Sequence, residues 1–253
     1  MRLNNKNVYN IIYVIFLPTV FYYLYKYKKY NGIYTNSYKE IIIKNFIENI
    51  NSNLTYSPNG KNELLNNYLD ANFDNRSFNK FVTDDYIIGS NEDGMLIELC
   101  NISLENVSAR NELLDLIYEG IFSTSFLNNR VYDEVTIKTN KVLFKDTNIV
   151  EMDSSEFEKY FDVYSNSNIL SMEILTHDIM EELVNFYVKY KIKFEIVIKN
   201  NNIYIRFDTG SMFEPNILRK SNDINTLWVY YSILNFVTNF SFKINKLLKD
   251  VEV

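Results

Sequence analysis

Cysteine and histidine are nearly missing from this chain. One of each occurs in 253 residues, Cys100 and His177. A single thiol excludes an internal disulfide. The two counts together exclude Cys-rich zinc sites and most His-based ones. Glycine (6) and proline (3) are also scarce. The chain contains no G-x-x-x-x-G-K-S/T, no G-x-G-x-x-G, no H-E-x-x-H and no G-x-S-x-G, so the usual phosphate-loop, dinucleotide, zinc-protease and serine-hydrolase signatures are all missing. No cofactor is expected. Positive charge is in deficit as well: the net charge is −6, which argues against nucleic acid as a partner.

What is present supports a packed core. Hydrophobic residues make up 47% and aromatic residues 16% of the chain, well away from a disordered composition. Tyrosine reaches 21 residues, and asparagine and isoleucine are abundant. That bias is the mark of an AT-rich genome, so tyrosine abundance by itself carries no functional argument. The charge is uneven. Residues 1–50 hold seven Lys/Arg against Glu40 and Glu48, and the remainder is acidic.

Val8 to Tyr25 runs without a charge. As a helix it would reach ~27 Å, close to the ~30 Å of a bilayer core. Tyr9 lies near one end and Tyr22, Tyr23 and Tyr25 near the other, where interfacial aromatics belong. No small-residue cleavage site comes after it. Lys26, Lys28 and Lys29 do, and the positive-inside rule then places the rest of the chain in the cytoplasm. The sequence thus divides into a membrane anchor (1–30), in contact with lipid through residues 8–25, and one domain (31–253). The expected location is a single-pass membrane protein. A buried or interfacial helix is the competing reading of residues 8–25.

Within the domain, Tyr38 to Ile50 reads as an amphipathic helix with Ile42, Ile43, Phe46, Ile47 and Ile50 on one side. Lys61 to Asp70 reads as a second, short helix. Strands are expected at Asp84–Ser90 and Gly94–Asn106, joined by a turn through Asn91-Glu92-Asp93-Gly94, then at Ile117–Leu127 and Val135–Phe144. Asp153 and Glu156 suit a helix start, and Phe157, Tyr160 and Phe161 come next at helical spacing. Thr176 is a suitable N-cap for a helix carrying Ile179, Met180, Leu183 and Val184. Phe194–Ile198 and Ile203–Phe207 both alternate, and Asn200-Asn201-Asn202 between them suits a hairpin turn. Leu227 to Val251 is a long apolar helix interrupted by Asn235, Asn239, Lys243 and Asn245. It reads as a helix packed on the sheet, with a second membrane span as the alternative. The fold class is α+β, an antiparallel sheet of five to seven strands with helices packed on one face, plus one N-terminal transmembrane helix.

The order of these segments resembles a bacterial family of unknown function, domain-of-unknown-function family number 3137. Glu156, Phe157, Glu158, Phe161, Val163, Tyr164 and Ser165 match its pattern. So do Leu175, Thr176, Met180, Glu181, Leu183, Phe213, Glu214 and Pro215. Leu54-Thr55-Tyr56-Ser57-Pro58, the run Asp84 to Gly89 and the run Tyr118 to Phe122 are similar to its upstream landmarks, so the resemblance spans roughly residues 38 to 218. His177 departs from a proline and Met212 from a leucine in that pattern. The resemblance implies N-terminal membrane attachment and brings no established activity.

Candidate chemistry is sparse. Asp84 and Asp85 are the best acidic pair, but neighbours on a regular strand point to opposite faces and should not share a proton or a metal. Glu181 and Glu182 read as solvated, His177 as an exposed first-turn residue and Cys100 as core. Phe213-Glu214-Pro215 reads either as a recognition loop or as a loop whose phenylalanine closes one end of the core. The leading expectation is a non-enzymatic binding or scaffold module at the inner face of a membrane, with an unidentified protein or lipid partner. An enzyme using carboxylates, with Mg²⁺ held by Asp84, Asp85 or Glu214, is the second. It requires those side chains to converge within ~5 Å. A structural subunit with an exposed apolar patch along residues 227–251 is the third.

Overall fold

The computed structural model describes residues 5–73, 77–90, 94–139, 148–215 and 224–250, with side chains from Phe16 onward. Helix α1 (Asn5–Tyr38) runs straight into a π turn (Lys39–Ile43) and then α2 (Lys44–Ile50). Next come β1 (Leu54–Asn59), α3 (Leu64–Ala71), β2 (Lys80–Ser90), β3 (Leu96–Val107) and β4 (Leu113–Lys138). The chain continues through β5 (Ile149–Val150), β6 (Asp162–Ser165), α4 (Asn168–Ile174), α5 (His177–Tyr190), β7 (Phe194–Phe207) and α6 (Ile224–Asp250). The seven strands form one antiparallel sheet, ordered β1-β2-β3-β4-β6-β5, with β7 also paired to β4.

Strand β4 is the spine. Its first arm pairs with β3 and its last residues with β6, and β7 lies between the two arms, paired from Ile121↔Phe207 to Phe126↔Asn202 with the first and from Val131↔Asn200 to Lys138↔Glu195 with the second. The two strands expected at 117–127 and 135–144 are the two arms of β4, which is extended from Leu113 to Lys138 but passes around β7 between Phe126 and Val131; residues 140–144 fall outside the described ones. The hairpin expected at Asn200–Asn202 forms: the Asp208 N–H donates to the Lys193 carbonyl at 2.8 Å, and the Phe194 and Phe207 rings lie 5.8 Å apart. β7 turns back on itself at the asparagines, and its two arms pair with different stretches of β4: Phe207 to Asn202 with 121–126, and Asn200 to Glu195 with 131–138. Asn200 takes a positive φ of +53° at the turn, and β4 passes around the hairpin tip between Phe126, opposite Asn202, and Val131, opposite Asn200. The turn expected at residues 91–93 lies outside the described residues.

Alternation along β3 sends Ile97 and Leu99 to one face of the sheet and Cys100, Ile102 and Leu104 to the other. The first face carries the main core. On it α6 lays Ile233, Val237, Phe240 and Ile244, each at most 1% exposed, and α5 adds Ile179, Met180 and Leu183. Phe186, Phe194, Phe207 and Phe236 form an aromatic knot there, with ring centroids 4.4–5.9 Å apart. The second face is covered in part by α3 through Leu64, Tyr68 and Ala71, so the helices do not all lie on one face. The interrupting polar residues of α6 suit a core helix: Asn245 accepts from the backbone N–H of Asn128, and Ser241 bonds Ser125. Among the described residues Trp228 is the one large hydrophobic residue of α6 left exposed, so no apolar patch runs along that helix.

Helix α1 extends well beyond the span expected from residues 8–25. Among the described residues, no helix is long and apolar enough to cross a membrane. Side chains 8–15 of the expected span lie outside the described ones, and the lysines and asparagines after Tyr25 lower the apolarity of the rest.

Gly120 sits where β4, β7 and the Tyr118 ring meet. A Cβ there would lie 2.1 Å from the Phe207 carbonyl oxygen and 2.7 Å from the Tyr118 hydroxyl. Gly120→Ala is expected to destabilise by about 2 kcal/mol, read as a lower urea midpoint. Gly32→Ala, on the open surface of α1, is expected to be neutral or slightly stabilising.

Candidate functional site

The buried faces of the π turn and α2 carry Lys39, Ile43 and Ile47, which are 3%, 0% and 1% exposed. A lysine on such a stripe enters the core with its charge and must be paired there. Three carboxylates meet it. Lys39 Nζ lies 2.5 Å from Asp84, 2.8 Å from Asp85 and 2.6 Å from Glu214. The carboxylates themselves come within 4.8 Å of one another.

Backbone irregularity produces this convergence. The β2–β3 register slips between Asp84 and Ile87, leaving one extra residue on β2. Asp85 stands at φ +55° inside that bulge. The regular alternation that would send Asp84 and Asp85 to opposite faces is broken there, and both reach Lys39. Glu214 arrives from the loop after β7, directly after Phe213 at φ +63°. The described non-glycine residues at positive φ are three asparagines, Lys191 closing α5, Asp85 and Phe213. The last two, the unusual ones, both belong to this site, and such backbone costs on the order of 1–3 kcal/mol per residue.

Further groups hold the carboxylates in place. The Tyr56 hydroxyl donates to Asp85 Oδ1. The Asn101 amide donates to Asp85 Oδ2 at 3.1 Å and to the Met212 carbonyl at 2.6 Å. The Phe213 ring packs on Tyr230 at 4.7 Å and on Tyr56 at 6.3 Å, and is itself 2% exposed. The loop therefore uses Phe213 to close the core and Glu214 to meet Lys39. Asp84 and Glu214 keep 46% and 38% of their side-chain surface in solvent, whereas Asp85 has none.

The electrostatics reflect that difference in exposure. Burial works against the Lys39 ammonium, but hydrogen bonds to Asp84, Asp85 and Glu214 outweigh it and hold the lysine above its ordinary pKa. Burial dominates at Asp85 and pushes its pKa up to about 6, although Lys39 and Tyr56 pull the other way. Burial, and then the neighbouring Asp85, also holds the Tyr56 phenol above its usual range. Asp84, Asp85 and Glu214 are the residues that could hold a metal, but the Lys39 ammonium takes the central position among them.

The other sequence candidates lie elsewhere. Cys100 is fully buried, and burial pushes its thiol up to about 12, so it is not poised as a nucleophile. Its Sγ donates to the Asp84 carbonyl at 3.1 Å. His177 is exposed at the start of α5. Glu181 is exposed, and Glu182 pairs with Lys243 at 2.6 Å. Lys28 and Lys29 are exposed on α1, and Lys26 lies over the Tyr22 ring at 4.8 Å. Sequence reasoning missed Lys39 as a site residue, and Tyr56 and Asn101 with it. The usable signal was a lysine four residues before Ile43 on the buried side of an amphipathic helix.

A second buried ion pair closes the opposite face. Arg206 donates through Nε and Nη2 to Glu195 Oε2 and through Nη1 to the Tyr68 hydroxyl, and lies between the Phe73 and Tyr118 rings. Its donors are met by the protein, which makes it a structural clamp between β7 and α3.

Two outcomes test the Lys39 site. Lys39→Met leaves Asp85 buried and uncompensated and is expected to cost about 3 kcal/mol of stability. Adding Asp85→Asn should recover on the order of 1 kcal/mol, a coupling read from a double-mutant cycle in urea. The second outcome is a pH dependence. Folded Asp85 keeps its proton to about pH 6, while the unfolded residue releases it near 3.8. Between those values the folded state binds more protons, so this contribution to stability is full below 3.8 and is lost as pH rises through 6. The stability of the wild type relative to Asp85→Asn is expected to fall by about 2–3 kcal/mol between pH 4 and pH 7.

Comparison with known proteins adds a family and no activity. No curated protein matches the chain. The crystal structure of the mycobacterial trehalose monomycolate transport factor A, TtfA, superposes with a TM-score of 0.43 at 8% identity, covering 76% of this chain and 91% of that one. That likeness is too loose to carry a functional argument. A family model matches residues 116–246, from within β4 to near the end of α6 and just over half of the chain. The landmarks at 54–58 and 84–89 fall outside the match, whereas Glu156 to Ser165 and Phe213-Glu214-Pro215 fall inside it. The chain belongs to the family described as protein of unknown function (DUF3137).

Proposed function

We propose that this protein is a non-enzymatic binding or scaffold module, held at the cytoplasmic face of a membrane by its N-terminal helix. The observation that carries this reading is Lys39. The acidic constellation best suited to acid–base or metal chemistry converges on a lysine ammonium, which ties α1 to the sheet and to the Glu214 loop. Carboxylates held in this way position a helix; they do not exchange protons with a substrate. Membrane attachment is supported by the uncharged run 8–25 and by the side chains that α1 leaves in solvent. Phe16, Phe21, Tyr23 and Leu24 are 57–66% exposed, a surface that water does not favour.

One observation favours a second reading, a cation-dependent enzyme: Asp84, Asp85 and Glu214 meet within 4.8 Å. Thermal unfolding with and without millimolar Mg²⁺ separates the two. An unchanged Tm in the wild type supports the structural role of Lys39, and a clear Mg²⁺-dependent rise moves the balance to the enzyme.

The membrane reading is tested by tagging the C-terminus, washing membranes with carbonate and adding protease from outside. Carbonate-resistant, protected protein is the expected result. Release by carbonate would make α1 a peripheral helix, and cleavage from outside would reverse the orientation.

A further inference from the structure

The charge of α1 is segregated more sharply than its apolarity. The first 39 residues contain Arg2, Lys6, Lys26, Lys28, Lys29 and Lys39 and no acid; the first carboxylate is Glu40. The rest of the chain is strongly acidic. Among the described residues, no ion pair involves Lys26, Lys28 or Lys29. Tyr22, Tyr23, Tyr25, Tyr27 and Tyr30 surround these lysines at 53–67% exposure. The Lys26 ammonium lies over the Tyr22 ring, 4.8 Å from its centroid.

We propose that Tyr22–Tyr30 is a collar that holds the anionic headgroups of phospholipids. This rests on the membrane reading above and adds the lipid class. Tyrosines around the helix suit the headgroup boundary, where one end of the ring is apolar and the other wet. Lysines with no acid on the same element suit phosphate of net negative charge, each worth about 1 kcal/mol near an anionic surface. A neutral bilayer would satisfy the tyrosines but not the charge. An acidic protein surface would satisfy the charge but leaves the uncharged run 8–25 without a role. The geometry also fixes a stand-off. Nine residues of helix separate Tyr30 from Lys39, ~13 Å at the α-helical rise. The domain pinned at Lys39 would sit that far beyond the headgroups.

The test uses the full chain and a Lys26→Gln, Lys28→Gln, Lys29→Gln variant. Flotation on vesicles of phosphatidylcholine, alone or with one-third phosphatidylglycerol, reports the tether. The ratio of the two lipids retained after extraction from the mixed vesicles reports the collar. The wild type is expected to float on both and to enrich phosphatidylglycerol about tenfold or more, well within what three lysines at an anionic surface can supply; the variant floats but retains the bulk ratio. Flotation with bulk-ratio lipid in both proteins overturns the collar and leaves the tether. Failure to float on either vesicle overturns the tether, and the collar with it. Thermal unfolding of the variant close to that of the wild type shows that any change comes from the lysines and not from misfolding.

Discussion

A lysine ammonium buried among three carboxylates is the constraint on which the rest of this structure depends. An unpaired buried charge is too costly to keep, so the fold must bring acids to Lys39 from more than one element. It does so with a bulge in β2 and a left-handed phenylalanine before Glu214. Both conformations are expensive where they stand. Each makes sense only as the means of aiming a carboxylate, and each is held by packing: Asp85 by Tyr56 and Asn101, Phe213 by Tyr56 and Tyr230. The strain and the ion cluster therefore explain one another.

The same constraint connects the two parts of the chain. A π turn accommodates one more residue per turn than an α-helix and so re-aims the helix beyond it. Here it occupies Lys39–Ile43, where a helix leaving the domain must deliver Lys39, Ile43 and Ile47 to one surface. The helix does not stop or bend into a linker at this point, and α1 passes directly into α2. On the domain side the receiving strand β2 is locked through β3 to β4, which β7 and α6 hold from the other side. A displacement of α1 would have to break the cluster or distort the sheet.

Much of this was legible in the sequence, and the illegible parts have a definite cause. The helices at 38–50, 177–190 and 224–250 can be read from apolar spacing, which survives into the structure because each has one wet face. The antiparallel α+β class can be read from alternation and scarce glycine. The turn at Asn200–Asn202 was legible, because asparagine accepts the positive φ that a hairpin tip requires. The way the two arms of β4 flank the β7 hairpin was not legible. Alternation is interrupted at Asn128–Arg130, where the chain passes the hairpin tip, and nothing local says which strands the next arm joins. The convergence of Asp84 with Asp85 was hidden because it depends on a bulge that a two-residue period cannot show. Lys39 was visible only as a charge near an anchor, and its partners are 45, 46 and 175 positions away in the chain.

An ion cluster of this kind also bears on what sort of protein this is. A general acid or base must gain and lose its proton at the working pH, and a metal site must leave its carboxylates free to take the ion. Here the ammonium is held above its ordinary pKa by the three carboxylates that would otherwise serve, and Asp85, whose pKa burial raises, has no surface in solvent. A substrate could reach Asp84 and Glu214 but not the residue whose protonation is tuned. The tuning therefore belongs to the joint between helix and domain, where Lys39 is held.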